Sequence, residues 1–132
     1  MEDGTMPLGT SKYEKRGIAT HLPVWDAAEC LQCNMCSFVC PHAVIRPFLL
    51  DEGEVKAAPV DMTLVDAKGP GLAGLKYTMG VSTLDCTSCG SCVASCPKSG
   101  KALKMVPTHE VSLDQPDWNF LATVKEKTSR VD

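Results

Sequence analysis

The feature that most constrains the fold of this chain is the arrangement of its eight cysteines. They fall in two short runs, and each run reads Cys-x-x-Cys-x-x-Cys-x-x-x-Cys-Pro. The runs are Cys30, Cys33, Cys36 and Cys40, and Cys86, Cys89, Cys92 and Cys96. Such crowding disfavours a disulfide framework, because disulfides in secreted scaffolds are usually spread along the chain. It indicates that each run wraps a metal centre.

The spacing within each run is typical of ligands to a 4Fe-4S cluster. Three thiolates separated by two residues let a short loop wrap one face of a cubane, with its backbone N–H groups turned toward sulfur. The fourth cysteine is expected at the start of a helix, facing away from the cluster of its own run. It should therefore bind the other cluster, as in two-cluster ferredoxins. The predicted ligand sets are Cys30, Cys33, Cys36 and Cys96 for cluster one, and Cys86, Cys89, Cys92 and Cys40 for cluster two.

Zinc is the rival metal, since two Cys-x-x-Cys pairs would be enough for one zinc site. The additional cysteine in each run and the closing Cys-Pro favour iron and sulfide. A cluster held by four thiolates has no open coordination position, so electron transfer is its expected role. No catalytic residue is predicted, and His21, His42 and His109 are left without a role.

The two runs are copies of one unit, because each cysteine has a counterpart 56 positions later. Each copy is predicted to form an extended stretch, a cysteine loop, a short helix and a return strand, the return strands being Ala43–Phe48 and Ala102–Val106. The predicted fold class is α+β, the bacterial-type two-cluster ferredoxin fold, as a pseudo-twofold repeat in one domain at 1–132. Its predicted segments are an N-terminal arm at 1–22, a first cluster half at 23–48, an insertion at 49–80, a second cluster half at 81–106 and a C-terminal arm at 107–132.

The predicted insertion is rich in glycine and too irregular for a long helix. It contains GPGLAG, residues 69–74, which matches the letters of a dinucleotide-binding fingerprint. That fingerprint needs a strand before it and a full crossover helix after it, whereas here a proline lies inside the turn and the second cysteine run follows closely. We predict a plain turn. In the C-terminal arm, burial of Trp118, Phe120 and Leu121 is expected to anchor the tail.

The rest of the sequence predicts a cytoplasmic protein, and its composition predicts that folding depends on the bound metal. The chain has only three Phe, two Trp and two Tyr, whereas ordering a residue costs about 1.5 kcal/mol, so metal binding is expected to supply folding free energy. The N-terminus lacks the basic stretch and apolar run of an export signal, and no apolar run approaches the roughly 18 residues of a membrane span. A net charge of -3 gives no reason to expect nucleic-acid binding.

The segment WDAAECLQCNMCSFVCPHAVIRP, Trp25–Pro47, closely resembles the ferredoxin-like domain of pyruvate:ferredoxin oxidoreductase. DGTMPLGTSKYEKRG, Asp3–Gly17, resembles the segment leading into that domain, and LDCTSCGSCVASCP with KSGKALKM resembles its second half. The resemblance implies an electron relay in a large cytoplasmic homodimer that oxidatively decarboxylates pyruvate with coenzyme A on thiamine diphosphate. Electrons would then pass through a cluster near the thiamine and through these two clusters to an external ferredoxin or flavodoxin.

The chain departs from that family in length, because members that perform the chemistry are far longer and carry the thiamine site and a third cluster on other domains. We therefore expect no pyruvate turnover by this polypeptide alone, and its expected partners are the other domains of a parent enzyme. Two alternatives stay open, a free-standing two-cluster ferredoxin and a zinc-stapled interaction module. The long arms favour a relay domain over a free carrier, and a colourless protein would indicate zinc.

Overall fold

The computed structural model of the protein describes residues 3–113 and 115–130. Residues 1, 2, 114, 131 and 132, which belong to the predicted terminal arms, lie outside the described residues. The strands are β1 (His21–Trp25), β2 (Ile45–Leu50), β3 (Val65–Asp66), β4 (Lys76–Val81) and β5 (Leu103–Pro107). The α-helices are α1 (Met35–Phe38), α2 (Glu52–Ala57), α3 (Ser91–Ala94) and α4 (Pro116–Leu121). Short 3-10 turns lie at Thr10–Tyr13, Thr83–Asp85, Thr108–Glu110 and Thr128–Arg130.

The strands form two antiparallel sheets, which confirms the predicted α+β class. β1 pairs with β5, and Trp25 lies opposite Leu103 in that register. β4 is the central strand of the second sheet, between β2 and the short β3. Ile45 of β2 lies opposite Val81 of β4. Each strand that follows a cysteine loop therefore pairs with the strand that precedes the other loop. No helix within residues 3–113 or 115–130 is long and apolar enough to cross a membrane.

The predicted starts of the return strands are wrong by one or two residues. β2 begins at Ile45 because Ala43, the predicted start, has a φ of 50° and belongs to the turn that follows the first cysteine run. β5 begins at Leu103, because the N–H of Ala102 donates to the carbonyl of Lys98 and so closes a turn. Strand ends depend on which residues of the partner strand are opposite, and local sequence does not contain that information.

Both edges of the predicted insertion, 49–80, fall inside strands, since β2 runs to Leu50 and β4 starts at Lys76. The segment also contains the short helix α2, which sequence analysis did not predict. A capping box starts this helix: Asp51 accepts a hydrogen bond from the N–H of Glu54 at 2.9 Å, and Glu54 accepts one from the N–H of Asp51 at 3.0 Å. The Asp-x-x-Glu spacing was the available signal.

The turn predicted for GPGLAG is confirmed. Gly69, Gly71 and Gly74 all have positive φ angles, and strand β4 follows directly. The turn also contacts the C-terminal arm, because the guanidinium group of Arg130 donates to the carbonyl oxygen of Gly71 at 2.8 Å. Among the described residues, no crossover helix follows this turn before β4.

The predicted anchor of the C-terminal arm is confirmed by helix α4. Leu121 is only 1% exposed, and it packs with Leu50 and Met62 in a hydrophobic cluster that Phe120 also contacts. The ring of Trp118 meets the ring of Phe48 edge to face, with the centroids 6.1 Å apart. The arm is therefore an integral part of the body, packed against the sheet of β2 and β4.

Candidate metal centres

The two cysteine loops adopt the same local conformation. In each loop, the residues on either side of the second cysteine have left-handed φ angles. These angles are 57° at Gln32 and 59° at Asn34 in the first loop, and 62° at Ser88 and 75° at Gly90 in the second. Left-handed residues within a tight turn orient successive backbone N–H groups into a concave anion-binding surface.

Backbone donors point at cysteine sulfur in both loops. Three N–H···Sγ hydrogen bonds, each 3.4 Å long, run from Gln32 to Cys30, from Val44 to Cys40 and from Ser88 to Cys86. Such donors stabilise thiolate, because a hydrogen bond to the charged form favours that form. The loops are thus prepared to hold a negatively charged sulfur-rich group.

The fourth cysteine of each run follows the end of a helix, so the prediction that a helix begins there is wrong. α1 ends at Phe38 and α3 ends at Ala94, and Cys40 and Cys96 each come two residues later. The left-handed turn after the second cysteine lets the helix start just before the third cysteine, whereas it was predicted to start at the fourth. The two helices pack against each other. This contact brings the end of each cysteine run close to the other half of the molecule.

Each cavity in this region is lined by four thiols. The first is lined by Cys30, Cys33, Cys36 and Cys96, and the second by Cys40, Cys86, Cys89 and Cys92. The two spaces are nearly equal in size. Three cysteines of each lining come from one run and the fourth comes from the other. These are the same groups of four that the sequence analysis assigned to clusters one and two.

All eight cysteines are free thiols. Among the described residues, no three Cys, His, Asp or Glu side chains lie close enough together to hold a single metal ion. His42 is exposed at the edge of the second cavity, and Lys98 lies beside the first, with its Nζ 3.9 Å from Oε2 of Glu29. The cysteine thiols are thus the candidate ligands that both cavities have in common.

Burial controls the protonation of the thiols at equivalent positions of the two halves. It raises the pKa of both Cys36 and Cys92 to about 11, and it also raises the pKa of Cys86. In contrast, the backbone N–H of Ser91 lowers the pKa of the exposed Cys89 thiol. Buried thiols in the metal-free protein therefore keep their protons at neutral pH, and metal binding must release them.

The residue before the second cysteine ties each loop to a segment outside the cysteine runs. Gln32 donates from Nε2 to the carbonyl of Asp66 at 2.8 Å, and its Oε1 accepts from the N–H of Lys68 at 2.8 Å. Ser88 accepts from the N–H of His21 at 2.9 Å. The sequence did not reveal this role of Gln32. Its position 56 residues before Ser88 was the signal that the repeat offered.

Substituting Gln32 is expected to loosen the insertion without affecting the N-terminal arm. Gln32→Ala removes two hydrogen bonds of about 1 kcal/mol each, so exchange of the Lys68 amide hydrogen should become about 5 to 30 times faster. Ser88→Ala is the matched control at the equivalent position, and it should accelerate exchange at His21 instead. Faster exchange at both amides in either variant would show that the loops do not restrain these segments separately.

The sequence matches the model of the 4Fe-4S dicluster domain over residues 26–100, a range that contains both cysteine runs. This chain belongs to the 4Fe-4S dicluster domain family. Its eight cysteines, grouped around two cavities, suit the cofactors of that family, and the domain carries two 4Fe-4S clusters. A second match, to a domain of unknown function, covers residues 1–19.

Several long oxidoreductases contain a similar segment. Pyruvate:ferredoxin oxidoreductase of Moorella thermoacetica is 49% identical over 125 residues, which are 94% of this chain and 11% of that protein. Pyruvate-flavodoxin oxidoreductase of Klebsiella pneumoniae is 46% identical, over 98% of this chain and 11% of that protein. Pyruvate dehydrogenase [NADP(+)] of Cryptosporidium parvum is 45% identical, over 98% of this chain and 7% of that protein. The predicted resemblance is confirmed, and the chain spans about a tenth of these relatives.

Proposed function

We propose that this chain relays electrons inside a larger 2-oxoacid oxidoreductase of the pyruvate:ferredoxin type. The relay runs from the thiamine diphosphate site of that enzyme, on other domains, to an external ferredoxin or flavodoxin. One observation carries the proposal: nearly the whole chain is similar to a small part of the relatives named above. Fully thiolate-bound clusters suit this role, because they exchange electrons without an open coordination position.

We propose that the ligands are exchanged between the two halves, with the following sets. Cluster one takes Cys30, Cys33, Cys36 and Cys96, and cluster two takes Cys86, Cys89, Cys92 and Cys40. The linings of the two cavities support these sets. We also propose that the halves form a pseudo-twofold repeat, which the matching loop conformations and the cross-pairing of the strands support.

The two sites share one apolar wall. Four cysteines, two from each proposed set, pack against the same hydrophobic cluster, and they are Cys36, Cys40, Cys92 and Cys96. Ile45, Tyr77 and Leu103 are buried residues of that cluster. A shared wall keeps water out from between the sites and keeps them adjacent. Adjacent sites suit a relay, since each bound cluster takes up and releases electrons.

The N-terminal arm supports a place within a larger assembly. Its apolar side chains Met6, Leu8 and Tyr13 are exposed. The same arm is tied to the body near the second cysteine run, where Lys15 pairs with Asp85. Exposed apolar side chains on a segment of an assembly can be covered by a neighbouring domain. Other domains of the parent enzyme are the partner that the similarity of this segment favours.

An anaerobic preparation of the chain tests this function directly. It should contain about eight irons and eight sulfides, absorb visible light, and take up electrons at both sites in an EPR-monitored reductive titration. Once reduced, it should reduce oxidised flavodoxin. With pyruvate, coenzyme A, thiamine diphosphate and Mg²⁺, the chain alone should show no turnover.

Three results would contradict the proposal. Zinc in place of iron would support the interaction module, and pyruvate consumption by the isolated chain would make it an enzyme in its own right. A reduced chain that failed to reduce any flavodoxin or ferredoxin would argue against a relay. A variant lacking one ligand, Cys89→Ala, is the internal control, because it should retain about four irons.

A further inference from the structure

Trp25 carries a buried polar atom without a partner. Its indole Nε1 is shielded from solvent, and no hydrogen-bond acceptor among the described residues lies within reach of it. The ring packs against the ring of Tyr77 edge to face, with the centroids 6.1 Å apart. Leaving a buried N–H without an acceptor is unfavourable, because the group gives up its hydrogen bonds to water and gains none in return. Such a group needs an explanation, and a missing acceptor is one of the usual ones.

Trp25 is also part of the lining of the first cavity. It stands there with the cysteines of the proposed cluster-one set. The register of β1 and β5 places it opposite Leu103, another residue of the same lining. The unpartnered donor therefore belongs to a side chain that borders the space where sulfur atoms are expected.

We propose that the indole N–H of Trp25 donates a hydrogen bond to a sulfur atom of cluster one, either a cysteine sulfur or an inorganic sulfide. This inference rests on the proposed ligand set of that cluster. Trp25 acts as a positioning and tuning residue, since it transfers no electron pair and binds no iron. Hydrogen bonds to sulfur are among the factors that set the reduction potential of such centres.

The repeat makes this contact specific to one site. The position 56 residues after Trp25 is Val81, which also ends a strand and has no side-chain donor. Reduction adds negative charge to a cluster, and a hydrogen bond to a more negative acceptor is stronger. The N–H of Trp25 therefore favours the reduced form of cluster one and leaves cluster two unaffected. The two sites would differ in potential for this reason.

The variant Trp25→Phe tests the proposal, because it keeps an aromatic ring and removes the donor. In an EPR-monitored redox titration of the cluster-loaded chain, the equilibrium constant for reduction of cluster one should fall about tenfold. That change corresponds to a shift of about 59 mV to more negative potential for one electron. Cluster two should keep its potential. Cys33→Ala, which alters only the first run, identifies the EPR signal of cluster one.

A spectroscopic test leaves Trp25 intact. The chain has only two tryptophans, so Trp118→Phe makes Trp25 the sole tryptophan and also serves as the control that should leave both potentials unchanged. With ¹⁵N-labelled indole, pulsed EPR of the reduced protein should detect coupling of the Trp25 nitrogen and its exchangeable proton to cluster one. Trp25→Phe should lack that coupling.

The results separate this inference from the proposed function. If both EPR signals and about eight irons are present, yet Trp25 shows no coupling and its substitution changes neither potential, the proposed relay stands and the hydrogen bond is refuted. If the wild-type chain takes up no iron and sulfide, the proposed function fails first, and this inference fails with it.

Discussion

Cys40→Ala is expected to remove the cluster of the second cysteine run while the cluster of the first run stays complete. Cys40 follows the first run in sequence, yet it lines the second cavity with Cys86, Cys89 and Cys92. A site with three of four thiolates holds its cluster much less tightly, so the iron content should fall from about eight toward about four per chain. Iron and sulfide analysis after anaerobic purification measures the loss.

Double variants show which cluster was lost. Cys40→Ala combined with Cys89→Ala should still retain about four irons, because both substitutions affect the same site. Cys40→Ala combined with Cys33→Ala should retain almost none, because they affect different sites. If Cys40 instead bound the cluster of its own run, the two outcomes would be reversed. Cys96→Ala provides the mirror test for the first site.

Leu121→Ala is expected to cost about 2–5 kcal/mol of stability, the usual range for truncating a buried leucine. Leu121 is 1% exposed and fills the space between the C-terminal arm and the sheet of β2 and β4. The concentration of guanidinium chloride at which the visible cluster absorption is lost should therefore fall. Val60→Ala is the matched control, because Val60 is fully exposed and its truncation should change stability by less than about 0.5 kcal/mol.

A second substitution, at Gly80, tests the same packing of Leu121 against the sheet. A Cβ atom at Gly80 would lie 2.8 Å from Cδ1 of Leu121 and 2.9 Å from Cε2 of Phe48, so Gly80→Ala should destabilise the protein by overpacking. In the Leu121→Ala background, the same methyl group enters the space that the leucine left. The double variant should then be more stable than the sum of the single effects predicts. Simple additivity would mean that the arm does not pack on Gly80 in solution.

The relay proposal gives each added segment a physical role. The insertion holds the first loop through Gln32, and the N-terminal arm holds the second loop through Ser88. Restraining the loops limits how far they move when the charge of the bound cluster changes, and a small reorganisation suits fast electron exchange.

The sequence alone determined the chemistry of this protein. Cysteine spacing is a local property, because three thiols two residues apart wrap one cluster face in any surroundings, and so iron, sulfide and the α+β class followed from the two runs. The glycines and proline of GPGLAG also predicted the turn at residues 69–74, and the apolar character of Trp118, Phe120 and Leu121 predicted the anchoring of the arm. Each of these depends on neighbouring residues or on strong apolar character.

Tertiary structure decided what depends on residues far apart in the chain. The strand limits at Ile45 and Lys76 follow from the pairing of β2 with β4, and the unpartnered N–H of Trp25 exists only because folding buries it beside the first cavity. The bonds of Gln32 likewise reach residues 34 and 36 positions away. Burial and long-range hydrogen bonds are properties of the folded chain as a whole, so no local pattern encodes them.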